Sequence, residues 1–205
     1  MKKADDPRPE SFRVDPQSIA LGEAIPAHAA RRRIIESCPS HFASVEALQD
    51  RQRDDGTSLG IVRPQRVTGV RVRLRSDEEI AEWVEREAAL RQQGVLFEDV
   101  RPPRLDPPTA EFLVAWVCDT ADCPGHEMAL HQWGIHQLWR RFELERDPDR
   151  MHKVEDLMRA RLDQERYDVF LFLGNYSYRP GQFGLMEVVH LRKGAGKDDG
   201  PTLFG

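Results

Sequence analysis

The sequence predicts an α+β fold of small mixed sheets with helices, its C-terminal half ordered β-α-α-β-β. Three features carry that reading. Residues 67–75 alternate, with Thr68, Val70, Val72 and Leu74 on one face and Gly69, Arg71, Arg73 and Arg75 on the other; a period of two marks a half-buried strand. Ser76 and Glu79 follow at once as a capping box, each satisfying the other's backbone donor, which opens a helix. Val169, Phe170, Leu171, Phe172 and Leu173 form a short unbroken apolar run, the mark of a central strand.

The remaining elements follow in chain order. Residues 1–10 read as a tail, and 11–14 and 19–21 as short strands. Residues 27–37 read as a helix, with Pro26 near its start and good helix formers inside. Ser44 caps a helix from Val45 to about Asp54, which Gly56 ends. Residues 58–62 form a strand that Arg63 and Pro64 stop. The helix opened by Ser76 runs to about Gln93, where Gly94 closes it; Ile80, Trp83, Val84, Ala88 and Leu90 make its buried side. Pro102, Pro103, Pro107 and Pro108 exclude helix and central strand over 101–108. A boundary is expected there, between a basic α+β region, 1–100, and a Cys/His-containing α+β region, 109–195, with a flexible tail at 196–205. Residues 111–118 read as a strand covered on both faces, and 125–142 as a helix with Met128, His131, Ile135, Leu138 and Phe142 on one side. His131 is then a core histidine and His136 an exposed one or a partner contact. Residues 154–164 form a further helix. Residues 168–175 and 184–192 are antiparallel strands joined through a turn at Arg179, Pro180 and Gly181.

Composition narrows the function. The chain has 205 residues, 40% hydrophobic and 32% charged, so it is not disordered in bulk. No apolar run approaches the ~18–20 residues of a membrane helix, so no membrane partner is expected. The charged N-terminus lacks the apolar core of a secretory signal. Three cysteines are too few for a disulfide scaffold, and a cytoplasmic setting is expected. A net charge of -5 argues against attraction of the whole chain to nucleic acid, yet the charge is uneven. Residues 1–75 carry 14 Lys+Arg against 10 Asp+Glu, and 76–205 carry 16 against 25. Arg71, Arg73 and Arg75 form an outward stripe that reads either as a phosphate-binding face or as a solvated one.

Cys118, Cys123 and His126 supply three soft or borderline ligands within nine residues, with Pro124 and Gly125 permitting a tight turn between them. They can converge on zinc, and Cys38 or His41 offers the fourth ligand. The competing reading is two reduced core cysteines and a helix-capping histidine. His126 and Glu127 do not make a zinc-protease helix, because His131 lies five positions on and about 140° round. No nucleophile elbow or phosphate loop is present. Asp168 and Glu187, on neighbouring expected strands, are the weak candidates for catalytic carboxylates of a metal-dependent nuclease. Glu187 sits in an apolar strand and needs a partner, for which Arg179 and His190 are the candidates. Tyr176, Tyr178 and Arg179, between the last two strands, could stack on bases and hold phosphates, or cover a core edge.

With these residues in view, the chain resembles a group of bacterial proteins that carry a Cys-x4-Cys-x-Gly-His segment between a strand and a helix. The resemblance rests on residues 112–139 and 170–175, with 8–14 and 58–62 beside them, and implies no particular activity. Leu203 and Phe204 resemble the Leu-Phe ending of bacterial sliding-clamp-binding peptides, although Gly200 and Pro201 stand where that motif has glutamine and an apolar residue. The pair could anchor a protein partner or dock on the chain's own surface. The resulting expectation is a zinc-stabilised α+β binding module acting on nucleic acid or its machinery. A metal-dependent nuclease or other hydrolase, and an interaction protein without metal, are the alternatives.

Overall fold

The computed structural model describes residues 8, 15–22, 28–92 and 105–194. Its elements are α1 (His28–Glu36), β1 (His41–Phe42), α2 (Val45–Asp55), β2 (Leu59–Val62), β3 (Arg66–Leu74), α3 (Asp77–Gln92), β4 (Ala110–Val117), β5 (His126–Ala129), α4 (Trp133–Leu144), α5 (Arg150–Arg161), β6 (Tyr167–Tyr176) and β7 (Arg179–Arg192). They form one four-stranded sheet, β1-β2-β6-β7, and one three-stranded sheet, β3-β4-β5. The β1–β2 pair is parallel and the other pairs are antiparallel. The α+β class holds.

Local signals place most boundaries. Ser44 accepts the Ala47 N–H at 3.2 Å, and Gly56 ends α2 in the left-handed conformation, φ 79°. At α3 the Ser76 N–H donates to Glu79 at 2.9 Å and the Glu79 N–H to Ser76 Oγ at 3.3 Å, so both halves of the capping box form. Hydrogen bonds from Arg73 and from the Ser76 N–H hold the Glu79 carboxyl down to about 2.

Four expectations are corrected. Residues 126–129 are a strand, and the helix expected from 125 starts at Trp133. Pairing with β4 claims those residues, Trp116 opposite His126 and Val114 opposite Met128. Residues 19–21 are irregular, next to a short 3-10 turn at Pro16–Ser18. The last hairpin turns at Ser177 and Tyr178, with Tyr176 opposite Arg179, so β7 already begins where a turn was expected. In β4 only one face is fully buried, that of Phe112, Val114 and Trp116. Residues 11–14, 93–104 and 195–205 lie outside the described residues.

β6 justifies its unbroken apolar run because both of its faces are covered. Leu171 and Leu173 enter the main core with Val62, Phe112, Val114, Trp116, Trp139 and Val154, while Phe170 packs with Ile35 of α1, Ile61 and Leu191 on the other face. Each sheet joins strands from before and after the boundary expected at 101–108, and one core draws on residues from both sides of it. Leu130 links the sheets: its N–H donates to the Phe112 carbonyl at 2.7 Å, and the His131 N–H donates to the Leu185 carbonyl at 2.9 Å. The edge of β3 is closed by side chains of the α5 region, Glu155 accepting the Val72 N–H at 3.0 Å and Gln164 accepting the Val67 N–H at 2.6 Å.

Candidate metal centre

β4 and β5 are an antiparallel hairpin, and residues 118–125 are its loop. The Cys123 N–H donates to the Thr120 carbonyl at 3.2 Å, which folds the loop back on itself. Gly125 then turns the chain into β5 with φ 84°, a conformation that carries a steric cost of about 1–2 kcal/mol for a residue with a Cβ. Gly125→Ala is therefore expected to lower stability by about that amount and to displace His126 from Cys123. Urea denaturation reads the first effect, and zinc titration with a competing chelator reads the second; unchanged zinc affinity would rule out the displacement.

The loop brings three ligand atoms together. Those of Cys118, Cys123 and His126 all lie within 4.8 Å of one another. Cys123 Sγ is 3.4 Å from His126 Nε2 and accepts the Cys118 backbone N–H at 3.1 Å. The His126 ring lies against Trp116, centroids 5.3 Å apart. The first turn of α2 faces the same point: Glu46 Oε1 is 3.5 Å from His126 Nε2. Burial pushes the Cys118 thiol up to about 11, against the Val45 and Trp116 donors that favour its thiolate. The Trp116 indole N–H is buried and makes no hydrogen bond of ordinary geometry. A thiolate at Cys118 would give it a charged acceptor. All three cysteines of the chain are free. Two sulfurs and an imidazole are a donor set that suits zinc, with donors already placed around one sulfur.

A family model described as Domain of unknown function (DUF8757) matches residues 41–197, more than half of the 205-residue chain. The chain belongs to this family. No curated protein and no solved structure matches it. The DUF8757 span contains α2, the β4–β5 hairpin and the three clustered ligands, whereas Cys38, Leu203 and Phe204 fall outside it.

The other candidate residues go elsewhere. Cys38 and His41 do not supply the fourth ligand. Cys38 packs beside the Ile35–Ile61–Phe170 cluster, and His41 Nε2 bonds the Ile35 carbonyl at 2.7 Å. Cys38, between α1 and β1, thus lies on the α1 side of the sheet, while the cysteines of the hairpin join the main core. The arginines of the stripe form ion pairs with carboxylates of β4, β5 and α3. Arg71 meets Glu127 at 2.8 Å, Arg73 meets Glu79 at 2.8 Å and Glu111 at 2.7 Å, and Arg75 meets Glu111 at 3.0 Å. The register sets Arg73 directly opposite Glu111.

Asp168 and Glu187 do not converge. Asp168 lies opposite Leu191 and Glu187 opposite Phe172, four residues along, roughly 13 Å at strand spacing. Asp168 is held by Arg32 at 2.7 Å and Arg63 at 2.5 Å. Burial raises its pKa, but Arg32, Arg63 and Lys193 outweigh that and hold the carboxyl below its ordinary value. Its contribution is thus present above the unfolded carboxyl's ~3.9 and lost as pH falls through the lower folded value. Asp168→Asn should cost about 1–2 kcal/mol at neutral pH. Thermal melts should show the gap from wild type closing below about pH 4; a gap constant with pH would refute the ion-pair origin. Glu187 is half-buried and its pKa is raised by that burial. It accepts the Val188 N–H at 3.1 Å, and the Gln132 side chain favours its charged form against that burial, where Arg179 or His190 was expected.

At the β6–β7 turn, Tyr178 is 75% exposed with the Arg179 guanidinium 5.7 Å from its ring centroid, and Tyr176 lies 5.7 Å from Tyr178. The Tyr176 hydroxyl is 3.0 Å from His131 Nε2, so His131 is an exposed partner of the turn and not a core residue. His136 is the one that packs inward, edge-on to Phe112 at 4.9 Å. Leu203 and Phe204 lie outside the described residues. Glu46, which the sequence reading did not single out, lies against His126. Its only local signal is a place in the first turn behind the Ser44 cap, and nothing in that position points to residue 126.

Proposed function

We propose that the chain is a zinc-stabilised α+β binding module that acts on nucleic acid or on nucleic-acid machinery. The convergence of Cys118, Cys123 and His126 carries the reading. Bound zinc supplies a redox-inert cross-link through thiolate and imidazole. Cys118 anchors it at the end of β4, Cys123 across the loop and His126 at the start of β5, while the Trp116 and Val45 donors serve the Cys118 thiolate. Free thiols in this number fit a reducing, cytoplasmic compartment.

With the arginine stripe paired internally, the nucleic-acid face is the β6–β7 turn. Tyr178 and Arg179 stand there, with Tyr176 and His131 behind them. Trp133, 73% exposed, opens α4 two residues beyond His131. Exposed aromatic rings beside a guanidinium stack on unpaired bases, which favours single strands.

The test has two arms. Elemental analysis of protein purified without a metal-affinity column should return about one zinc per chain; no zinc, and no uptake from solution, overturns the metal. Binding to a single-stranded oligonucleotide should weaken steeply with salt, and Tyr178→Ala should weaken it roughly 5- to 150-fold. Absent or salt-insensitive binding overturns the nucleic-acid assignment.

A further inference from the structure

We infer that the α1-bearing face of the four-stranded sheet is a track for single-stranded nucleic acid, running from the Tyr176–Tyr178–Arg179 turn along β6 and β7 to Arg63. This rests on the nucleic-acid reading above and goes beyond it, because it extends a contact at one turn into a path with two charged ends.

Strand pairing defines the face. Phe170, Phe172 and Gly174 alternate along β6 onto one side of the sheet, away from Leu171 and Leu173 in the main core. Val189, Glu187 and Gly184 stand opposite them on β7, and Leu59 stands opposite Gly174 on β2. α1 covers one end, where Ile35 packs with Phe170. α2 lies on the other side of the sheet, its Leu48 against Gly60. Between α1 and the turn, Leu59 is 50% exposed and Phe172 and Met186 are half-buried.

The turn end of this face is built for stacking. Gly174 and Gly184 are paired and leave the floor without side chains of its own. A Cβ on Gly184 would come within 2.5 Å of the Tyr176 hydroxyl oxygen, so that side chain lies directly across β7. His131 Nε2 holds the hydroxyl at 3.0 Å, and the Tyr178 ring follows at 5.7 Å between centroids, tilted by 38°. A ring already fixed in place loses little freedom when a base stacks on it.

Charge selects the occupant. Arg179 stands at the turn, its guanidinium 5.7 Å from the Tyr178 ring centroid. About 20 Å along β6, the span of six residues at strand spacing, the Arg63 guanidinium lies 5.9 Å from the Phe170 ring centroid and is 62% exposed. Arg32 and Lys193 act with Arg63 on the one carboxylate of Asp168, so positive charge is in excess around it; Arg32 also meets Glu36 at 3.5 Å. Cations at both ends of an aromatic and apolar face suit a chain of phosphates that carries bases. Glu187 stands between the ends, opposite Phe172. A carboxyl there repels phosphate and accepts from the exocyclic amines of bases. Bases therefore lie toward the sheet, and phosphates toward the arginines.

The experiment measures binding of a single-stranded oligonucleotide of mixed sequence to the full chain across a salt series. Arg63→Gln should weaken binding roughly 3- to 5-fold near 0.15 M salt and lower the salt slope by about 0.7, the share of one phosphate on a single strand. Leu59→Glu puts a carboxylate midway along the face and should weaken binding at least ~5-fold. Arg86→Gln removes an exposed cation of α3 and should stay within about 2-fold of wild type. Melting curves verify that each variant is folded at the assay temperature. Wild-type affinity and salt slope in both Arg63→Gln and Leu59→Glu, with binding still weakened in Tyr178→Ala, confines the site to the turn; that overturns the inference and keeps the nucleic-acid reading. A changed oligomeric state in Leu59→Glu with unchanged oligonucleotide affinity makes the face a contact between copies and overturns the inference as well. No binding by the wild type overturns both.

Discussion

Cys123→Ser is expected to abolish zinc binding and to lower the melting temperature of zinc-loaded protein by about 10–20 °C. Serine is close to isosteric with cysteine but is a poor zinc ligand, so the change removes a bond and opens little space. Structural zinc contributes an apparent ~10–16 kcal/mol to small finger peptides, which have no core of their own. This chain has in addition a core drawn from both sheets and three helices. A fraction of that range, roughly 4–6 kcal/mol, is therefore expected here. At ~2–4 °C per kcal/mol for a domain of this size, the shift is of the stated order. Melts with and without chelator make the comparison decisive: wild type should fall to the level of Cys123→Ser when zinc is removed, and Cys123→Ser should not respond. If the variant melts with wild type in saturating zinc, the cluster is ordinary core chemistry.

Trp139→Ala should cost about 3–5 kcal/mol, the range for deleting a buried aromatic ring. Trp139 is 2% exposed and meets Phe112 edge-on at 6.0 Å. Its indole N–H donates to Thr109 Oγ1 at 2.9 Å, and that hydroxyl donates to Glu143 at 2.6 Å. The Arg150 guanidinium lies 5.2 Å from the ring centroid. Truncation removes the packing between α4 and β4 and the support under Arg150, whose Nε is buried without a hydrogen-bond partner. Trp139→Phe should recover most of the loss and retain a deficit of about 1 kcal/mol from the missing N–H. Chemical denaturation measures both, and the folded fraction of each variant should keep its zinc because α4 does not supply a ligand. Equal destabilisation by Ala and Phe would place the energy in the hydrogen bond instead of the packing.

These two residues differ in how plainly the sequence announces them. Cys123 stands in a spacing that a reader can parse: Pro124 and Gly125 give the turn, and Gly125 adopts the positive φ that such a turn requires. The Ser44 cap, the Gly56 stop and the Ser76–Glu79 box were equally plain, because each is completed by atoms within four residues. Trp139 could be placed on a helix, but its partners Thr109 and Phe112 lie 30 and 27 positions away. The strand 126–129 was missed for a related reason. Its apolar spacing tolerates a helix, and only the ladder offered by β4 makes the extended form win.

The same division holds for the whole molecule. Period, caps, glycine turns and the pair of cysteines five apart could be read residue by residue, and they sufficed for an α+β class and for the clustered Cys118, Cys123 and His126. Pairing between distant segments settled the rest. Strand register set Arg73 opposite Glu111, and set Asp168 four positions from Glu187 along the sheet. The seating of α2 brought Glu46 to His126, 80 positions on, and the opposite face of the same sheet took Cys38 away. A cap or a turn depends on bonds made within a few residues, whereas register depends on burying a whole face at once; a shift of one residue would exchange every inward side chain for an outward one.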